Sequence, residues 1–308
     1  MVILVSMTSK VKLTFLGTSD QIPSRSRNHT SILLNFNEEN ILIDCGEGTQ
    51  RQFRKANLNL CKITKILISH WHGDHVLGLP GLLSTLALSG YNKSLEIYGP
   101  KGIKSKIDTM LKLYNFHREY NLIIKEIESG IFFENEGFYL EAEEMEHGIP
   151  CLAYGFIKKD YLRIDKKKFE KSGLKIGPEL KKLKEGKNIK IDGKEYKFKD
   201  FTFTEDKKKV SIVMDTKLNK RIIPFVKNAD LFISESTYSS ELEKEAEEHL
   251  HLTVGQVANI AKKAKVKKLI LTHVSSRYLK DLKSLLDESK KIFKESYLPR
   301  DLDFFILE

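Results

Sequence analysis

The 308-residue chain holds three cysteines, Cys45, Cys61 and Cys151, and no C-x-x-C pair. An odd number outside any motif fits a disulfide framework poorly, so a reducing, cytoplasmic setting is expected. Long hydrophobic runs are lacking as well. A membrane-spanning helix needs roughly 20 apolar residues in succession. The longest apolar stretch, VLGLPGLLSTLALSG from Val76, falls short of that and reads as a buried helix. The opening MVILVSMTSK has no basic n-region and too short an apolar core for a secretory signal, and reads as a loose extension. No short-period repeat is present. With 41% hydrophobic and 31% charged residues the composition excludes a disordered chain. The length suits one large domain or two closely packed halves.

What the chain has in excess is positive charge, and it has it in one place. The formal net charge is +10 and the pI about 9.2. Between Lys158 and Lys209 stand 19 Lys and Arg against 10 Asp and Glu, so nearly the whole surplus falls in that segment. A concentrated block of this kind points to an anionic polymer or a membrane surface as partner. A solvated lysine-rich loop would have the same composition.

From Lys10 to Leu152 short β-rich runs alternate with helical stretches. KVKLTFLG, SILLNF, NILIDC, KITKILIS, SLEIYG, NLIIKEI, FYLEAEEME and LAYGFI read as strands. GEGTQRQFRKAN and the apolar run after His75 read as helices. Residues 158–199 then lack a long apolar period and are rich in lysine and glycine, so they read as an inserted basic arm with little core of its own. After the arm, KVSIVMDT, NADLFISES and KVKKLILTHV alternate with the helices KLNKRIIPFV, TVGQVANIAKKA and YLKDLKSLLDESKKIF. Strands and helices on both sides of an insertion imply an α/β domain with layered sheets.

Three of the nine histidines and one aspartate stand within SHWHGDH, Ser69–His75. A surface turn or a hydrogen-bonded polar cluster could carry such residues. The alternative is a metal site. His70 and His72 are two apart on extended backbone and project to one side. Gly73 permits a sharp turn, after which Asp74 and His75 can serve a neighbouring point. Imidazole nitrogen and carboxylate oxygen suit zinc and similar divalent ions. Four donors cannot close two such sites, so further ligands are expected at later strand ends. His147, Asp215 and His273 each follow an apolar strand. Taken singly, each is more often a capping or core polar residue; their shared position at strand ends, joined to the first cluster, favours ligands.

SHWHGDH resembles the HxHxDH signature of the metallo-β-lactamase fold, and His147, Asp215 and His273 follow in that family's order. Within the fold the chain resembles ribonuclease Z, the tRNA 3′-processing endoribonuclease. The resemblance covers almost the whole chain, through FLGTSDQIPSRSRN, IDCGEGTQRQ, HGIPCLAYGF, HLTVGQVANIAKKAKVKKLILTHVSSRY and the Gly-Pro-containing basic insert. It implies an αββα four-layer sandwich over residues 1–308, with residues 158–199 inserted as an exosite-like arm. It implies two zinc ions per subunit, one on His70, His72 and His147, the other on Asp74, His75 and His273, with Asp215 bridging. Two ions so placed can activate a shared water for in-line attack on a phosphodiester, Asp74 acting as base. The cut would remove the 3′ trailer from precursor tRNA, leaving a 3′-hydroxyl on the tRNA and a 5′-phosphate on the trailer.

The resemblance makes His251 the candidate proton donor to the leaving oxygen, and Glu235 in SESTY is placed to orient it; a helix-capping or surface role is the alternative for both. The family usually has serine where Leu252 stands, so a hydrogen bond is expected to be missing here. PSRSRN resembles a motif concerned with the tRNA 3′ end that carries lysine at the position of Arg25. Arg25, Arg27 and Asn28 are thus expected to hold phosphates or terminal nucleotides, unless the turn is simply polar and its arginines solvated. Lys181, Lys182 and Lys184 of the arm are expected to grip the tRNA body, from the neighbouring subunit of a homodimer. His249 and His117 are expected to face solvent. Another hydrolase of the same fold, acting on small phosphodiesters, lactams or thioesters, would carry the same metals but leaves the arm and PSRSRN unexplained. A non-catalytic RNA-binding protein would have no reason to keep all seven ligands.

Overall fold

The structure is a computed structural model that describes residues 10–114, 118–174, 177, 179–191 and 193–308; His117 lies outside them. In chain order its strands are β1 (Val11–Gly17), β2 (Ser31–Phe36), β3 (Glu39–Ile43), β4 (Lys65–Leu67), β5 (Leu95–Gly99), β6 (Leu122–Glu126), β7 (Gly130–Glu134), β8 (Phe138–Glu146) and β9 (Pro150–Lys158). There follow β10 (Tyr161–Ile164), β11 (Ile189–Ile191), β12 (Lys194–Tyr196), β13 (Thr202–Glu205), β14 (Lys208–Val213), β15 (Leu231–Glu235), β16 (Leu269–Thr272), β17 (Ser296–Tyr297) and β18 (Phe304–Leu307).

Fourteen of these strands form two seven-stranded sheets, ordered β18-β1-β2-β3-β4-β5-β6 and β17-β16-β15-β14-β9-β8-β7. Each sheet is half antiparallel and half parallel. The parallel runs are β3 to β6 in the first and β14 to β17 in the second.

Alternation along the strands sends neighbouring residues to opposite faces, and that decides the layers. Ile41 and Ile43 point inward to meet Tyr154, Ile212 and Ile233 of the other sheet in one core. Leu42, between them, faces outward with Ile66 and Ile97, against Leu79, Leu82, Leu83 and Leu86 of the helix Leu79–Leu88. On the far side Phe232, Leu269 and Leu271 pack against Val254, Val257 and Ala261 of the helix Val254–Lys263. Three apolar seams between four layers make the expected αββα sandwich.

The sheets are also joined directly. Tyr154 Oη donates to Ile68 O at 2.7 Å, and Leu152 N donates to Ser69 O at 2.9 Å. The second bond holds the residue just before His70. The apolar run after His75 is not one helix. A short turn, Gly73–Val76, is separated from Leu79–Leu88 at Gly78, where a side chain would lie 2.1 Å from Gly46 O. Strands β7, β17 and β18 escaped the sequence pattern because β17 has two residues and the other two are edge strands with exposed faces.

Between β9 and β14 the chain leaves the sheets. β10 pairs with β13, β11 with β12, and short helices span Lys166–Lys171 and Glu179–Lys184. This segment has a small core, with Phe169, Leu183 and Ile189 buried and Leu174, Leu180 and Phe198 packed on them. Its apolar residues come in pieces too short to show a period. At its root Lys158 is buried and ion-paired with Glu205, which also holds Arg163. The nine residues of β9 span about 26 Å at roughly 3.3 Å per residue. The arm's root therefore stands at the opposite end of β9 from Pro150.

Gly17 ends β1 against the loop that follows, and a Cβ there would sit 1.7 Å from His29 O. Gly17→Ala must displace backbone, and is expected to cost about 3 kcal/mol of stability, read from the urea unfolding midpoint.

Candidate metal centre

Chain direction brings the chemistry to one end of the sandwich. His70, Asp215 and His273 follow the C-terminal ends of the parallel strands β4, β14 and β16, and His147 follows β8. His72 caps the turn Gly73–Val76 in extended conformation, and the turn itself carries Asp74 and His75. Gly73 enters that turn with ordinary helical backbone, so its Cα supplies no left-handed bend. Three of the left-handed non-glycine positions stand at the site: Asp44 (φ 56°), His273 (φ 55°) and Leu250 (φ 58°), whose carbonyl meets His147. Strained non-glycine backbone of this kind concentrates where side-chain direction matters.

All seven expected ligands converge, and they do so as two sets sharing Asp215: His70, His72 and His147 on one side, Asp74, His75 and His273 on the other. In the first set His70 Nε2 and His147 Nε2 each lie 3.1 Å from His72 Nδ1, and 3.6 and 3.5 Å from Asp215 Oδ2. In the second, Asp74 Oδ2 is 3.2 Å from both His75 Nε2 and His273 Nε2. Asp215 Oδ2 is 3.5 Å from His75 Nε2, and Asp215 Oδ1 is 3.3 Å from His273 Nε2. Donors arranged tetrahedrally around zinc at ~2.0–2.1 Å stand about 3.3 Å apart. Both sets have that spacing.

Burial gives a second test of fit. Asp215 is 1% exposed, and among the described residues neither of its oxygens has a hydrogen-bond partner; His75 Nε2 is likewise buried and unpartnered. Orphaned atoms this deep are costly unless a cation satisfies them. The outer ring nitrogens are not left free. His75 Nδ1 donates to Asp44 Oδ2 at 2.7 Å, and His147 Nδ1 to Leu250 O at 3.0 Å. His70 Nδ1 donates to Ser69 Oγ at 3.0 Å, whose own proton goes to Asp44 Oδ2 at 2.8 Å. His273 Nδ1 donates to Thr237 Oγ1 at 2.9 Å. Each bond fixes a tautomer that leaves Nε2 as a ligand. The residues present therefore fit two divalent ions.

Electrostatics agree. Burial, then the neighbouring imidazoles, drives the His70 pKa well down, and burial with His147 lowers that of His72, so both stay neutral lone-pair donors. Burial opposes charge on His75 too, but Asp215, Asp44 and Asp74 outweigh it and push its pKa well up. Three carboxylates thus draw positive charge to that point.

His251 stands beside the sets, ring to ring with His147 at 5.0 Å and His273 at 5.7 Å. Its Nδ1 donates to both oxygens of Glu235, at 3.1 and 3.0 Å, and its Nε2 has no hydrogen bond among the described residues. Burial would lower its pKa, but the charge and hydrogen bond of Glu235, with Asp215 and Asp74 adding, raise it to about 9. Glu235 Oε2 also accepts from Thr237 at 2.6 Å, so one hydroxyl links it to the ligand His273. Leu252, expected to leave a hydrogen bond missing beside His251, is fully buried in the core with Val254 and Val257.

The other expected residues scatter. Arg25 is exposed. Arg27 is 3% exposed and donates from Nη1 to Thr18 Oγ1 at 2.6 Å and Pro299 O at 3.0 Å, so its guanidinium is committed inside the fold and is not available to phosphates. Asn28 is half-buried and donates to Glu47 O at 2.6 Å. Lys181, Lys182 and Lys184 are exposed on their short helix, and His249 is exposed as expected. His29 is buried, with Nε2 3.1 Å from Gln21 O. Sequence reasoning missed Asp44 and Thr237, which contact ligands rather than metal; their signal was confined to IDCGEG and SESTY.

The four layers and the paired His/Asp sets define a metallo-β-lactamase-fold protein. Two proteins named ribonuclease Z align over nearly the full chain. That of Listeria welshimeri is 41% identical over 302 residues, covering 96% of this chain and 99% of the relative. That of Methanosarcina acetivorans is 35% identical, covering 95% and 96%. The crystal structure of human tRNase Z, short form, superposes with a TM-score of 0.70 at 26% identity, covering 96% of this chain and 98% of that one. A family model described as Anti-Pycsar protein Apyc1 matches residues 11–129, a stretch that ends before His147, Asp215, His251 and His273. The chain belongs to the ribonuclease Z family of endoribonucleases.

Asp44→Asn keeps the shape beside His75 but removes the charge that its ring proton faces. It is expected to weaken metal binding about 10- to 100-fold, measured by competition with a chromophoric chelator.

Proposed function

We propose that this protein is a zinc-dependent endoribonuclease that removes the 3′ trailer from precursor tRNA. The convergence of two ligand sets on the shared, unpartnered Asp215, with His251 and Glu235 beside them, carries the proposal. Two zinc ions would be held by His70, His72 and His147 and by Asp74, His75 and His273. When bound, such ions place positive charge against a phosphodiester and lower the pKa of water. The chain's own groups manage the protons. Asp74 accepts the proton of the attacking water as its oxygen bonds to phosphorus. The bond from phosphorus to the tRNA 3′-oxygen breaks, and His251 gives that oxygen its Nε2 proton, held ready by Glu235. The products are a tRNA with a 3′-hydroxyl and a trailer with a 5′-phosphate.

The basic arm supports an RNA substrate. Its exposed Lys181, Lys182 and Lys184 suit phosphates, which give affinity without sequence. Its root lies about 26 Å along β9 from the site, far enough to grip the folded body of a tRNA while the cut is made at its end. The arm would act on the substrate of the neighbouring subunit in a homodimer. Arg25 remains the candidate for the RNA 3′ end. Among the described residues no helix is long and apolar enough to cross a membrane.

The test is cleavage of end-labelled precursor tRNA. The parent should cut at one position and lose activity with chelator. Asp74→Ala should abolish turnover with tRNA binding retained, and deletion of residues 173–190 should impair precursor cleavage while a small phosphodiester is still hydrolysed. Equal loss on both substrates would remove the arm from substrate binding; chelator-resistant cutting would remove the metals.

With the His251 pKa near 9, its donor form is complete at neutral pH and is lost as pH rises through that value. The rate should therefore fall on the alkaline side. Glu235→Gln removes the charge that raises the pKa, so the alkaline limb should move to lower pH in a kcat profile, and an unmoved limb would reject His251 as donor.

A further inference from the structure

The segment 18–28 was expected to offer Arg27 to the substrate, yet that guanidinium is turned inward. Its Nη1 meets the Thr18 hydroxyl at 2.6 Å, and the same hydroxyl donates to Asp301 Oδ1 at 2.7 Å. Asp301 Oδ2 in turn accepts from Asn28 N at 2.7 Å and from Gln52 Nε2 at 2.9 Å. One carboxylate near the C-terminal end of the sequence thus ties both feet of the loop, Thr18 and Asn28, to the helix Thr49–Lys55. Arg27 adds a bond to Pro299 O on the same C-terminal segment, at 3.0 Å.

The loop is pinned within itself as well. Ser19 Oγ donates to Ile22 O at 2.8 Å, Asp20 Oδ1 accepts from Ile22 N at 3.1 Å, and Ser24 N donates to Arg27 O at 2.8 Å. Its tip shows Ile22, 61% exposed, and Arg25 to solvent.

The foot of the loop touches the metal centre. Val274, next to the ligand His273, donates to Thr18 O at 3.1 Å and accepts from Asp20 N at 3.4 Å. Gly46 lies close between His29 and Asp74: a Cβ on it would lie 2.4 Å from both His29 Cβ and Asp74 O. A shift of Thr18 or Asn28 is therefore a shift of the loop tip relative to the ligands.

We propose that Arg27, Thr18 and Asp301 form a clamp that fixes the loop 18–28 against the ligand segment and so sets which phosphodiester is presented for cleavage. Resting on the proposed ribonuclease activity, the clamp makes these three positioning residues: they touch neither metal nor RNA, and they act through the tip. A substrate held about 1 Å from its place can lose ~10²-fold in rate. A small phosphodiester, which never reaches the tip, is indifferent to it.

Thr18→Val removes the shared hydroxyl at nearly constant volume, and Asp301→Asn removes the charge with shape kept. Arg27→Ala is the less conservative third variant. On end-labelled precursor tRNA, Thr18→Val and Asp301→Asn should cut 10- to 100-fold more slowly. Their products should spread to bonds on either side of the parent position, with small-phosphodiester turnover within about twofold of the parent. Hydrogen exchange followed by mass spectrometry should show protection lost across residues 18–28 and kept in β14 to β16. A single unshifted cut at parental rate, or an equal fall on both substrates, overturns the proposal. A parent that cuts no precursor tRNA rejects the ribonuclease activity instead. The clamp itself is then decided by exchange, where unchanged protection of residues 18–28 overturns it.

Discussion

A carboxylate buried to 1% exposure with neither oxygen hydrogen-bonded is the constraint on which this molecule turns. Asp215 stands just past β14, where four imidazole nitrogens from three other parts of the chain approach to 3.3–3.6 Å without bonding to it. Negative charge so deprived of water is tolerable only with positive charge at hand. The surrounding groups are arranged to receive it: neutral His70 and His72, Asp74 on the other side, and outer ring nitrogens already tied to Asp44, Ser69, Leu250 and Thr237. The site is preorganised, so binding a cation requires little rearrangement of its ligands.

That preorganisation is a property of the sandwich. Both sheets end their parallel strands at the same edge, and backbone bonds cross between them there, from Leu152 to Ser69 and from Tyr154 to Ile68. Two left-handed residues, Asp44 and His273, turn their side chains into the site at a cost that close packing around them must offset. Fixing ligands on two sheets has a further effect. Separating the ligands of one sheet from those of the other would part the apolar core between the sheets.

Charge and chemistry are kept apart. The site is lined by histidines and carboxylates, whereas the lysine surplus sits on an arm whose root is at the far end of β9. In the proposed function this separation would let phosphate contacts act on the body of a long substrate without lysines competing for the ligands' carboxylates. The loop 18–28, by contrast, is bonded through Thr18 and Asp20 to Val274, beside His273.

Much of this was legible in the residues. The HxHxDH spacing separated the first cluster into two pairs, and strand periodicity placed His147, Asp215 and His273 at strand ends, because both depend on near neighbours along the chain. The arm was visible as a change in composition, although its small core around Phe169, Leu183 and Ile189 was not, since those residues meet only after several short elements fold back. Arg27 shows the limit most clearly. In sequence it is one of two arginines in a polar turn, indistinguishable from Arg25. Only the arrival of Pro299 and Asp301 from the far end of the chain, with Thr18 folded back from the loop's first foot, converts it from a surface charge into a buried tie. Asp44 is a similar case: its partner His75 lies 31 residues away. Sequence determined which donors exist and where the strands end, because local backbone and side-chain alternation fix those. Tertiary structure alone decided which polar groups are buried together, because burial depends on what the rest of the chain lays over them.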